Sequence, residues 1–231
     1  MLLWKLFVFL FIVWTSFRLP RSVEARLVEE EVVVLKAMAS TMGSKYWNFN
    51  PDNCAVELAG MDSTMPIAAN TSVVCQCFIG TGCHVVRIIL KAISLPGTLP
   101  PEIAKLPYLT YIDFALNYLH GSIPPEWFSM KLTWISVMVN RLSGNIPKGI
   151  GNMSMLTYLN LEANNFSGVI PPELGKLANL NSLIMSSNFL TGELPTSLAM
   201  LNNLTDFRIN DNNLNGSIPN FIVNWRNLTK L

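Results

Sequence analysis

A Gly-x-(Ile/Leu)-Pro tetrapeptide recurs six times, at Gly97, Gly121, Gly144, Gly168, Gly192 and Gly216, spaced 24, 23, 24, 24 and 24 residues apart. Four residues before five of these glycines stands an asparagine: Asn117, Asn140, Asn164, Asn188 and Asn212. The first copy departs, with Ile93 in that place. A leading leucine keeps the same period at Leu109, Leu132, Leu156, Leu180 and Leu204, with Val85 in the first copy and Leu228 opening a seventh. Later apolar positions agree, as in Leu159 and Leu161, Leu183 and Met185, Phe207 and Ile209. A unit this short cannot bury its apolar side alone, so the period requires stacked neighbours sharing one core.

The pattern L-x-x-L-x-L-x-x-N-x-L is that of a leucine-rich repeat. It predicts an α/β-type repeat solenoid, a right-handed superhelix with short parallel strands on its concave face. The alternating segment forms the strand and sends its leucines to one side. The asparagine follows where the chain turns inward, and its amide both donates and accepts. A column of them can satisfy turn backbone buried between coils. Glycine permits the next bend, and proline restricts the return path. The shorter copy loses its residue between Pro124 and Leu132, on the return side, so the strand face keeps its register.

The chain divides into residues 1–25, 26–84, 85–227 and 228–231. Lys5 precedes an apolar run from Leu6 to Phe17 that is too short to cross a bilayer of about 30 Å. Val23-Glu24-Ala25 follows as a cleavage site, so residues 1–25 read as a secretory signal. An N-terminal anchor helix is the competing reading, opposed by Arg18, Pro20 and Arg21. No second apolar run long enough for a membrane span follows. Residues 26–84 read as an N-terminal cap, with an amphipathic helix over Glu29–Met42 that turns Val32, Leu35, Met38 and Met42 to one stripe. Acidic residues 29–31 suit its start and Gly43 its stop. Trp47 and Phe49 should join it over the first repeat. Leu231 falls at the second core position of repeat seven, which predicts an open edge and a product or gene reading cut short.

Cys54, Cys75, Cys77 and Cys83 lie together in the cap. In an exported chain an even count favours two disulfides, with three connectivities open. Order alone favours Cys54–Cys75 and Cys77–Cys83. A metal site from Cys75, Cys77, Cys83 and His84 competes, but Cys-x-Cys is a poor zinc spacing. Asn-x-Ser/Thr sequons at Asn70, Asn152, Asn165, Asn203, Asn215 and Asn227 point to glycosylation on export. Composition agrees with that picture. The chain is 50% hydrophobic and 13% charged, with net charge +1. Such a balance excludes the basic stripe that a nucleic-acid binder needs, so no nucleic acid is expected as a partner.

The Leu119-His-Gly-Ser-Ile-Pro124 spacer resembles the plant-specific leucine-rich repeat. Trp47-Asn-Phe-Asn-Pro-Asp-Asn-Cys54, Cys75-Gln-Cys77, Cys83-His-Val-Val86 and Leu95-Pro-Gly-Thr-Leu-Pro-Pro101 resemble one group of plant leucine-rich-repeat receptor-like serine/threonine kinases. So do Thr205-Asp-Phe-Arg-Ile-Asn-Asp211 and Ile218-Pro-Asn-Phe-Ile222. The resemblance covers about residues 27–231. In that group a malectin-like domain, a transmembrane helix and a cytoplasmic kinase follow the repeats. The resemblance implies an extracellular recognition module, with a peptide, protein or cell-wall-derived ligand on the concave face and a co-receptor as further partner. A free secreted repeat protein, acting as decoy or as inhibitor of a wall-degrading enzyme, is the alternative.

The residues flanking the core leucines of each strand should line that face. They are Arg87, Ile89 and Lys91; Tyr111, Asp113 and Ala115; Trp134, Ser136 and Met138. Tyr158, Asn160 and Glu162 follow, then Ser182, Ile184 and Ser186, then Asp206, Arg208 and Asn210. Tyr111, Trp134 and Tyr158 share a column, either as a binding hot spot or as mutual packing along the sheet. Catalysis finds no support. Only His84 and His120 are available as general bases, and no nucleophile, base and acid can be assembled around them. Gly80-Thr-Gly82 is too short for a phosphate cradle, and no kinase glycine-rich loop or Asp-Phe-Gly occurs. No cofactor is expected.

Overall fold

The computed structural model describes residues 26–44, 47–52, 54–58, 71–78 and 82–231. The expected leader and the Asn70 sequon lie outside the described residues. Helix α1 spans Glu29–Thr41. The strands are β1 Trp47–Asn50, β2 Ala55–Leu58, β3 Thr71–Phe78, β4 Gly82–Leu90, β5 Tyr111–Asp113, β6 His120–Gly121 and β7 Trp134–Ser136. They continue with β8 Arg141–Asn145, β9 Tyr158–Asn160, β10 Asn165–Val169, β11 Ser182–Ile184, β12 Phe189–Gly192, β13 Asp206–Arg208 and β14 Asn213–Leu214.

The strands β4, β5, β7, β9, β11 and β13 are neighbours in one parallel sheet, one strand per coil. Register is constant: Arg87 pairs with Tyr111, Tyr111 with Trp134, Trp134 with Tyr158, Tyr158 with Ser182, and Ser182 with Asp206. The shorter second coil does not disturb it, because its missing residue falls between the turn ending at Ser129 and Leu132. Strand β3 adds an antiparallel seventh strand beside β4, which the repeat pattern does not announce. A second sheet, β6-β8-β10-β12-β14, runs along the flank. It too is absent from the sequence expectation.

The return path is a column of single 3-10 turns: Pro101–Lys105, Pro125–Ser129, Lys148–Asn152, Pro172–Lys176, Thr196–Met200 and Asn220–Asn224. Each follows the proline of the tetrapeptide, whose extended backbone sets the turn. Its carbonyl accepts the first turn's N–H, as from Leu174 to Pro171 at 3.1 Å. Between sheet and turns runs one core from Leu27 to Trp225. Each fully buried aliphatic there contributes about 1.5–3 kcal/mol.

The asparagine column works as expected, and its bonds cross between coils. The side-chain oxygen of Asn164 accepts from the Leu142 N–H at 3.0 Å. Its amide donates to the carbonyls of Val137, Leu161 and Glu162 at 3.0, 3.1 and 3.1 Å. Asn117, Asn140, Asn188 and Asn212 repeat the arrangement. To reach that inward position the chain must first enter the left-handed region. Leu116, Val139, Ala163, Ser187 and Asp211 do so, with φ between 53° and 61°. For a β-branched residue this is strained, and Val139 is exposed at 37%, so little packing offsets it. Val139→Asn should therefore stabilise the protein by about 1 kcal/mol, read as a higher denaturant midpoint. An unchanged or lower midpoint would contradict the strain.

At the cap, Val32, Leu35, Met38 and Met42 are buried, as the helical stripe requires. Cys54 pairs with Cys75 and Cys77 with Cys83. The second bridge joins directly opposed residues of β3 and β4. With all four thiols oxidised, the competing metal set is absent, and His84 is engaged elsewhere. Its Nδ1 lies 2.7 Å from the Glu31 carboxylate, whose other oxygen accepts the Val85 N–H at 2.7 Å. Both residues are buried. Glu31 is thus more than a complement to the helix dipole. It clamps α1 to the first strand of the solenoid.

Candidate recognition surface

The strands hold their first outward column in register as Arg87, Tyr111, Trp134, Tyr158, Ser182 and Asp206. Strands in a sheet lie about 4.8 Å apart, close to the stacking distance of flat rings, so a column of aromatics stacks of necessity. The Tyr111 and Trp134 rings are 5.1 Å apart at 13°, and those of Trp134 and Tyr158 are 3.6 Å apart at 2°. The Arg87 guanidinium covers the free face of Tyr111 at 3.9 Å. Burial raises the pKa of both Tyr111 and Tyr158 above the ordinary tyrosine value. For Tyr111, Asp113 adds to that rise and Arg87 offsets part of it. Both hydroxyls are therefore neutral at physiological pH.

The second and third columns are more enclosed than strand alternation suggests. Asp113, Ser136, Asn160 and Ser186 are buried, together with Ala115 and Ile184, and so is Asp206 of the first column. Their carboxylate and amide atoms bond to neighbours on the same face. Asp113 accepts the Ala115 N–H at 3.1 Å and lies 3.5 Å from the Lys91 ammonium. Asn160 accepts the Glu162 N–H at 2.9 Å and donates to the Tyr158 hydroxyl at 3.2 Å. Asp206 takes two hydrogen bonds of 2.9 Å from Arg208. That pairing raises the Arg208 pKa further. These groups brace the surface from below. What an incoming molecule meets is Arg87, Lys91, Tyr111, Trp134, Met138, Tyr158, Glu162, Arg208 and Asn210, all partly or fully exposed. Ser72 and Val74 of β3 extend the same face, since they pair opposite Ile89 and Arg87. The β-branched run Thr71-Ser-Val-Val74 is the sequence signal for them.

The described sequons all lie off this face. Asn165 is in β10 of the lateral sheet, and Asn215 follows β14 on the same side. Asn152 ends an outer turn, while the Asn203 and Asn227 amides donate to the carbonyls of Ala178 and Asn202. All five are exposed. His120 sits on β6, in the lateral sheet, away from His84 in the cap strand β4. Among the described residues no group of three His, Cys, Asp or Glu could hold a metal. Nor is any described helix long and apolar enough to cross a membrane.

The geometry is that of a leucine-rich-repeat solenoid of the plant kind with a helical, disulfide-bonded cap. The Leucine Rich Repeat family model matches residues 155–177 and 179–201. A probable LRR receptor-like serine/threonine-protein kinase of Arabidopsis thaliana is 43% identical over 143 residues, which is 60% of this chain and 14% of that protein. The chain is thus similar to plant LRR receptor-like kinases, and it spans a small part of the length of these relatives. Among solved structures, the plant peptide hormone receptor RGFR1 in complex with RGF2 is similar at 36% identity and TM-score 0.62, over 63% of this chain and 24% of that one. The Arabidopsis receptor kinase HAESA, in complex with the peptide hormone IDA and the co-receptor SERK1, is similar at 25% identity and TM-score 0.72, over 88% and 33%.

Proposed function

We propose that this chain is the extracellular recognition part of a plant receptor-like kinase, binding a peptide or protein ligand on its concave face. The carrying observation is the Tyr111–Trp134–Tyr158 stack. It is a rigid, partly exposed aromatic surface with an arginine at one end, in the middle of the face where all described sequons are absent. Stacked rings lose little entropy on binding and give large contact area, the properties of interface hot spots. The similarity to receptor-like kinases and to receptors solved with peptide hormones favours the same reading. Signalling to a kinase, and contact with a co-receptor, would belong to the complete receptor at the cell surface.

The test uses the secreted, glycosylated chain and peptides selected against it from a random display library. Trp134→Ala should weaken the selected peptides at least tenfold, while secretion and the thermal midpoint change little. Affinity unchanged in Trp134→Ala and in Tyr158→Ala would overturn the reading.

A further inference from the structure

The aromatic column ends abruptly. Tyr158 has Trp134 against one face at 3.6 Å. The next residue in register on its other side is Ser182, whose side chain is a single hydroxymethyl. Beyond Ser182 the column resumes at Asp206, followed by a bridge to Lys230. Two strand spacings, about 9.5 Å, thus separate the positions of Tyr158 and Asp206 with only serine between. Among the described residues no ring or guanidinium stacks on the open face of Tyr158.

The far wall is charged and fixed. Asp206 holds Arg208 through two hydrogen bonds, and Lys230 stands 4.0 Å from the same carboxylate. The Glu162 carboxylate also acts on Arg208, so two cations and two anions balance at this wall. We infer that the gap over Ser182 is a slot for one aromatic side chain of a peptide ligand, stacked on Tyr158 and capped by Arg208. The bound ring would take the place of a missing member of the column. It would complete a stack with an arginine at each end, as Arg87 already covers Tyr111 at the other. This inference rests on the concave face being the recognition surface.

The chemistry of the slot selects among guests. A lysine or arginine guest would meet the Arg208 guanidinium that caps the gap. A sugar ring would bring several hydroxyls that each need a partner, and the Asn160 amide and Asp206 carboxylate are already engaged. Asn160 is bonded to Glu162, Tyr158 and Met138, and Asp206 to Arg208. Only the Ser182 hydroxyl lies on the floor. A flat apolar ring asks for the fewest hydrogen bonds.

The test measures N-acetyl-tryptophanamide binding by saturation-transfer NMR, beside N-acetyl-argininamide and methyl β-glucopyranoside. The wild-type chain should bind the tryptophan amide saturably and at least tenfold more tightly than the other two. Ser182→Trp fills the slot from within and should weaken the tryptophan amide at least tenfold, with the fold checked by circular dichroism. Tyr158→Leu, which removes the stacking wall without filling the gap, should weaken it too. No saturable binding, equal binding to Ser182→Trp, or tighter binding of the glucoside would overturn the slot. Library-selected peptides separate the two levels of the claim. If they are lost with Trp134→Ala but retained by Ser182→Trp, the slot fails and the recognition surface stands.

Discussion

Asn164→Ala should destabilise the solenoid by about 3 kcal/mol or more. The substitution removes one side chain but breaks bonds in two coils. The Leu142 N–H loses its acceptor outright, while the carbonyls of Val137 and Leu161 each lose one donor and keep a second, from Asn140 and Asn188. Asn164 is buried, so water does not replace these bonds without opening the turn. The orphaned N–H costs about 1–3 kcal/mol, and each bond lost from a carbonyl that stays paired about 0.5–1.5 kcal/mol. Because repeats touch only their neighbours, amide exchange should accelerate first in the coils on either side of Asn164. Asn165→Gln, at the exposed next position, is the control and should stay within about 0.5 kcal/mol. A loss below that figure for Asn164→Ala would refute the load assigned to the column.

Gly97→Ala should cost a similar amount by a different route. Gly97 belongs to the repeating tetrapeptide, yet its backbone is not in the left-handed region that Gly121, Gly144, Gly168, Gly192 and Gly216 adopt. Its constraint is contact with the cap. A methyl group there would sit 2.2 Å from the Thr41 carbonyl oxygen and 2.5 Å from the Met42 carbonyl carbon. Both are backbone atoms at the end of α1, so nothing flexible can yield. The shift would also lengthen the bonds from the Gly97 and Thr98 N–H groups to Met42 and Thr41, now 3.0 and 3.1 Å. Overpacking of this kind costs about 1–3 kcal/mol, with the strained bonds in addition. Exchange protection should fall in α1 while the later coils keep theirs. Gly144→Ala isolates the other cause. No atom lies within 4 Å of its added carbon, but its φ of +84° leaves only the backbone penalty, about 1–2 kcal/mol. If both variants unfold alike, the contact at Gly97 is not what matters.

That contrast shows what the sequence makes legible. A period of leucine, asparagine, glycine and proline specifies a stacked core, so the coil count, the concave strands and the inward asparagines are readable from spacing alone. The cap helix is readable from its stripe. The lateral sheet is not, because its strands are short segments of the same spacer and their pairing exists only between coils. Strand β3 and the Glu31–His84 clamp arise from folding the cap back onto the first repeat. No local pattern encodes a contact between residues 53 positions apart. The same limit applies to the surface. Alternation puts Asp113, Asn160 and Asp206 opposite the core leucines, but cannot show that all three are buried.

Hydrogen exchange on the glycosylated chain, with and without a saturating library-selected peptide, tests recognition by the concave face most directly. Protection should rise across Tyr111–Asp113, Trp134–Ser136 and Tyr158–Asn160, and leave Asn165–Val169 and the outer turns unchanged. Protection confined to the lateral sheet or the outer turns would contradict it.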